Sequence, residues 1–192
     1  MATQLGETDR KPQIRTQASS LGGFEHKVIV GIAEMAVSNN QSVTLSTYSL
    51  GSCLGIAIYD PVVKAGGLLH LMLPDSAIDP VKAAKQPAMF VDSGVPALFR
   101  ATYQLRAEKH RMIISVAGGA QILDNSGFFD IGRRNYEALA RLLDAHALRI
   151  HAEHVGGLVN RTMYLCLATG EVRLRISGQS QDTVLCKNST II

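Results

Sequence analysis

The stretch at residues 47–74, T-Y-S-L-G-S-C-L-G-I-A-I-Y-D-P-V-V-K-A-G-G-L-L-H-L-M-L-P, constrains this chain more than any other. It holds two short apolar runs, residues 54–59 and 68–73, with Asp60-Pro61 after the first and Gly66-Gly67 before the second. Runs of that length, rich in isoleucine and leucine, read as buried strands. Proline pre-sets φ for a turn and aspartate bonds the backbone beyond it, so the runs fold back as an antiparallel hairpin. Loop length sets the register. A loop of Pro61-Val62 puts residue 53 opposite residue 70. A loop over residues 61–64 puts residue 55 opposite residue 70 and leaves Cys53 on the diagonal. In either register Cys53 and His70 share a face, because the strand period is two.

That pairing carries chemistry. A thiol beside an imidazole is the minimum equipment for nucleophilic catalysis by sulfur, with His70 expected to lower the Cys53 pKa from about 8.5 toward 7. Gly51 and Ser52 predict a tight bend before Cys53, where backbone N–H groups can converge on an oxyanion. Thr47, on the strand leading into this stretch, is the third candidate. Each has an ordinary reading when taken singly: a small buried cysteine, a core histidine, a strand threonine. Three on neighbouring strands make a constellation.

The 192 residues favour one domain over two, and 46% hydrophobic content makes it globular. Nineteen basic against sixteen acidic residues leave only a mild positive excess, without a basic stripe for nucleic acid. No apolar run approaches the roughly 18 residues of a membrane span, and the N-terminus lacks a signal-peptide core, so a cytoplasmic protein is expected. The three cysteines include no C-x-x-C pair, and with the histidines they show no metal-ligand spacing. Neither metal nor cofactor is expected. Gly118-Gly119 and Gly156-Gly157 lack the phosphate-loop patterns and read as tight turns.

Along the rest of the chain, residues 1–25 read as a disordered tail, 26–186 as one catalytic domain and 187–192 as a second tail. Strands are expected at 27–32, 43–47, 112–116, 148–154, 163–168 and 172–176, besides the central hairpin. Residues 75–87 and 124–127 read as loops. Helices are expected near 89–107, where Pro96 demands a later start or a kink, and near 133–145. Seven or eight strands and two substantial helices, with strands clustered at both ends, give class α+β.

The pattern T-x-x-L-G-S-C, D-P, G-G-x-x-H-x-M-L-P resembles the CheD family, the chemoreceptor glutamine deamidases. V-I-V-G-I-A-E-M-A-V at 28–37 is similar to that family's opening strand pair. A-G-G-A at 117–120, I-G-R-R-N at 131–135 and a Gly-Gly block ending at Arg161 resemble its later blocks. Two positions depart: His154 stands where the family often has aspartate, and Asn160 where it often has glycine. The resemblance implies a layered α/β/β sandwich like that of a glutamine-deamidating toxin, with Cys53, His70 and Thr47 as the catalytic set. It implies a substrate glutamine on the cytoplasmic helical domain of a chemoreceptor, converted to glutamate through a cysteine thioester with release of ammonia. It further implies CheC, a phosphatase, as a partner. Other readings of the same residues are a non-catalytic adaptor that docks on receptors or CheC, a thiol protease or transglutaminase, and a hydrolase of small amides.

Overall fold

The computed structural model describes residues 26–121 and 130–187. The expected N-terminal tail, the loop at 124–127 and all but Lys187 of the expected C-terminal tail lie outside the described residues. Within them the chain is α+β. The strands are β1 His26–Ile29, β2 Glu34–Ser38, β3 Val43–Leu50, β4 Leu54–Asp60, β5 Ala65–Leu71, β6 Ile113–Gly118, β7 Ala152–Val155, β8 Arg161–Cys166, β9 Val172–Ile176 and β10 Thr183–Cys186. The helices are α1 Pro80–Lys85, α2 Val91–Tyr103 and α3 Ile131–Ala145.

Two five-stranded sheets form, ordered β1-β3-β8-β9-β10 and β2-β5-β4-β6-β7. Strands β4 and β5 sit inside the second sheet and are buried along their whole length. Burial on both faces is why their sequences run apolar without alternation. Leu54, Ile56 and Ile58 of β4 and Leu69 and Leu71 of β5 meet Val91, Val95 and Leu98 of α2 and Leu139 and Leu143 of α3. The alternate residues Ala57, Tyr59 and Leu68 join Leu45, Leu165, Val172 and Leu174 of the first sheet. The molecule is therefore layered helix, sheet, sheet, with one apolar core on each side of the β4–β5 pair. Each fully buried Leu or Ile contributes about 1.5–3 kcal/mol relative to exposure.

The hairpin takes the longer of its two possible loops. Gly55 pairs with His70 and Asp60 with Ala65. Asp60 does more than initiate a turn. Its buried carboxylate accepts from Val62 N at 2.9 Å, from Glu108 N at 2.9 Å and from Arg111, whose Nη2 lies 2.8 Å away.

Several expected elements are corrected. Residues 75–87 are not all loop, because α1 forms there with Asp79 as its N-cap, accepting from Lys82 N, and Pro80 at its first position. The strand expected over 148–154 is only Ala152–Val155. Leu148 and Ile150 instead pack against the helix-side core, and Ala147 has φ 51°. The first strand stops at Ile29, since residues 30–33 turn the chain and Ala33 has φ 61°. Ten strands stand among the described residues, against the seven or eight expected; β10 pairs only with β9 at a sheet edge. Helix α2 starts later than expected, at Val91, and continues through Pro96 in its second turn.

Candidate active site

His70 lies on the inter-sheet face of β5, as does Leu68 two residues before it. It is 1% exposed. Thr47, fully buried on β3 of the facing sheet, reaches across the gap, and its Oγ1 lies 2.7 Å from His70 Nδ1. The same Oγ1 donates to the Val30 carbonyl at 2.7 Å. A carbonyl only accepts, and a hydroxyl has a single hydrogen. The threonine hydrogen is therefore committed to Val30, and toward the imidazole Oγ1 must accept. It follows that Nδ1 carries the imidazole hydrogen and Nε2 presents its lone pair. His70 Nε2 is buried and has no hydrogen-bond partner among the described residues. Ala33 N–H, donating to the His70 carbonyl at 2.9 Å, fixes the backbone beneath it.

Cys53 sits in the bend just before β4 and is half-buried against the inter-sheet core. With Gly55 opposite His70, Cys53 occupies the diagonal position of the register. Diagonal neighbours are separated by roughly 7–8 Å, within reach of long side chains. The bend is held on two sides. Cys53 O accepts from Gly119 N at 2.9 Å, and Gly51 O from Ala120 N at 2.8 Å. Gly118 permits this approach: its φ is 116°, and a Cβ there would stand 2.1 Å from Cys53 O. From the helix layer, the Asn135 side-chain amide donates to Ser52 O at 3.1 Å and to Met72 O at 3.0 Å.

Burial dominates the electrostatics. It drives the His70 imidazole down to about 4, well below its ordinary 6.5. It pushes the Cys53 thiol up, and the residue's own backbone N–H offsets this only in part. The expected lowering of the thiol by His70 is thus not what the resting site has. Both groups are desolvated, neither gains from an opposite charge, and both rest neutral.

Cys166 and Cys186 are free thiols on β8 and β10, away from the imidazole. The two departures from the family pattern flank Gly156-Gly157, His154 on β7 before it and Asn160 just before β8. His154 Nδ1 accepts from Arg161 Nε at 2.7 Å, and the buried guanidinium also donates to the Val159 and Gly156 carbonyls. A groove between α3 and β7, of about 430 Å³, is lined by residues such as Tyr136, Leu143 and Ile150 and by none of Thr47, Cys53 or His70. Sequence reasoning did not single out Asn135 or the Val30 carbonyl. A carbonyl leaves no mark in sequence. For Asn135 the available sign was its spacing from Gly132, three residues along one helix face.

The family model described as CheD chemotactic sensory transduction matches residues 72–176. The chain is 50% identical over 151 residues to "Probable chemoreceptor glutamine deamidase CheD 1" of Syntrophus aciditrophicus, covering 79% of this chain and 94% of that protein. It is 41% identical to "Probable chemoreceptor glutamine deamidase CheD" of Solibacter usitatus, covering 82% and 94%. It is 42% identical to the protein of the same name from Pyrococcus abyssi, covering 80% and 94%. On this similarity, spread over most of its length, the chain belongs to the CheD family of chemotactic sensory transduction proteins.

Proposed function

We propose that this protein is a chemoreceptor glutamine deamidase in which Cys53 is the nucleophile, His70 the general base and acid, and Thr47 the residue that holds His70 in its working tautomer. The observation that carries the assignment is the Val30–Thr47–His70 relay, which leaves Nε2 bare in a buried site beside the Cys53 bend. His70 Nε2 takes the thiol proton as Sγ attacks the side-chain amide carbon of a glutamine. The carbonyl oxygen becomes an oxyanion, with the Cys53 N–H as a donor. The intermediate collapses by breaking the C–N bond, and His70 returns its proton to the departing ammonia. Water, deprotonated by His70, then attacks the thioester. The C–S bond breaks, the thiol regains its proton, and the products are glutamate and ammonia.

Residues 26–186 form the catalytic domain in this reading, with 1–25 and 187–192 as tails, and the reaction takes place in the cytoplasm. Among the described residues no helix is long and apolar enough to cross a membrane. The substrate is a glutamine projecting from the helical cytoplasmic domain of a chemoreceptor. CheC is a proposed partner on the strength of family membership, and co-elution of the two purified proteins tests it. A projecting glutamine reaches the thiol without unfolding its helix, and a folded bundle needs no ordering on binding. Folded receptor fragments should therefore release ammonia faster than short peptides of the same local sequence. Cys166→Ala and Cys186→Ala should retain most of the activity. A peptide or free glutamine reacting as fast as the bundle would favour a small-amide hydrolase instead. No ammonia release at all from receptor fragments would favour the non-catalytic adaptor.

A further inference from the structure

We propose that Asn135 is a positioning residue for this reaction, holding the Ser52–Cys53 peptide so that the Cys53 N–H serves the oxyanion. The inference rests on Cys53 being the nucleophile and adds a residue from the helix layer to the site. Asn135 is fully buried, and its Nδ2 bridges two carbonyls, Ser52 O at 3.1 Å and Met72 O at 3.0 Å. Ser52 immediately precedes the nucleophile. Met72 lies two residues beyond the base. One side-chain amide therefore ties the bend of the thiol to the strand of the imidazole.

The peptide between Ser52 and Cys53 is trans, so its C=O and N–H point in opposite directions. Anchoring the Ser52 carbonyl on α3 turns the Cys53 N–H away from the helix layer. Among the described residues that N–H donates to no backbone carbonyl outside the helices and strands. It stands close enough to its own sulfur to favour the thiolate. The following peptide is pinned from the β6 side, through Gly119 N to Cys53 O at 2.9 Å. A donor held by its neighbours, beside the sulfur and committed to no backbone carbonyl, is what an oxyanion requires.

The helix is positioned for this. A Cβ on Gly132 would stand 2.5 Å from Gly119 O, so glycine there lets the first turn of α3 lie directly on the Gly118-Gly119 turn. Gly132 and Asn135, three apart, share that face. Asparagine at 135 has two amide hydrogens for two carbonyls. Aspartate of the same shape has none when ionised.

The test compares two reactions of Cys53 in the whole protein. Acylation by p-nitrophenyl acetate passes through a tetrahedral oxyanion, whereas alkylation by iodoacetamide displaces iodide at a saturated carbon and forms none. Cys53→Ala supplies the background for both. In Asn135→Ala and Asn135→Asp, acylation should slow about 100-fold while alkylation changes by less than about 3-fold. In Asn135→Asp the ratio of acylation to alkylation should recover as pH falls, because a protonated carboxyl regains one donor. Parallel loss of both rates, or no change in either, overturns the proposal. So does a parent protein that the ester does not acylate at Cys53. Loss of the folded state in both variants, read by circular dichroism, assigns Asn135 to the fold and overturns it too. If the parent acylates at Cys53 but releases no ammonia from receptor fragments, the deamidase reading falls while the ester comparison still decides the role of Asn135.

Discussion

Thr47 has one hydroxyl hydrogen and two neighbours, and the neighbour that can only accept takes it. That constraint gives His70 a defined tautomer without any carboxylate in the relay. A negatively charged third residue would raise the imidazole pKa. A neutral threonine leaves burial unopposed, and His70 falls to about 4. The folded value lies below the ordinary 6.5, so the neutral base persists as pH drops through 6.5 and is lost only near 4. The acid limb of kcat/KM should accordingly fall well below 6.5, and a limb at 6.5 or above would contradict a buried neutral His70. Thr47→Val keeps the shape, removes the acceptor for Nδ1–H and frees the ring to adopt the other tautomer. Its kcat should drop about 100-fold or more, as general-base catalysis is lost. Nitrogen NMR of the imidazole should report a hydrogen on Nδ1 in the parent and a mixture in the variant. Thr47→Ser should restore both.

The β4–β5 hairpin is the element on which the site depends, and most of it was legible. Two apolar runs around Asp60-Pro61 predicted the strands and their shared face. The register was not legible, because loops of two and of four residues both satisfy the same turn chemistry. Nor was the second role of Asp60. Its partner Arg111 lies 51 residues away, and no local pattern links them. Burial alone would raise the Asp60 carboxyl, but Arg111 and the N–H groups of Glu108 and Val62 outweigh it and hold the pKa below the usual range. The stability so gained is present above the ordinary carboxylate pKa and is lost as pH falls through the depressed folded value. Asp60→Asn should therefore cost about 2–4 kcal/mol in urea unfolding at neutral pH, with the gap from the parent narrowing in acid. An Asp60→Asn protein as stable as the parent would show that the hairpin does not rely on this clamp. Elsewhere, α1 was marked by its Asp-Pro start but is only six residues long, too short for periodicity to register. Asn135 gains meaning only once α3 is laid on the glycine turn, which is tertiary information.

At the scale of the molecule, the layering explains where the site can be. The candidate residues come from both sheets and from the bend between β3 and β4: Thr47 meets His70 across the inter-sheet gap, and Cys53 lies on the diagonal of the hairpin register. The same packing that stabilises the fold desolvates the thiol and the imidazole, raising the one pKa and lowering the other. The class was legible because buried runs, alternating strands and amphipathic helices each carry their own period, whereas the layering was implied only by the family resemblance. The sheet order was not legible, since β1 with β3 and β6 with β7 pair in parallel across intervening elements. The central claim is that Cys53 is the atom through which the glutamine carbonyl passes. The direct measurement is mass spectrometry of a folded receptor cytoplasmic fragment incubated in ¹⁸O-water with parent or Cys53→Ala protein. The parent should convert specific glutamines to glutamate carrying one solvent oxygen, with ammonia released in equal amount. Cys53→Ala, folded as judged by circular dichroism, should convert none, and conversion at the parent rate in that variant would contradict the mechanism.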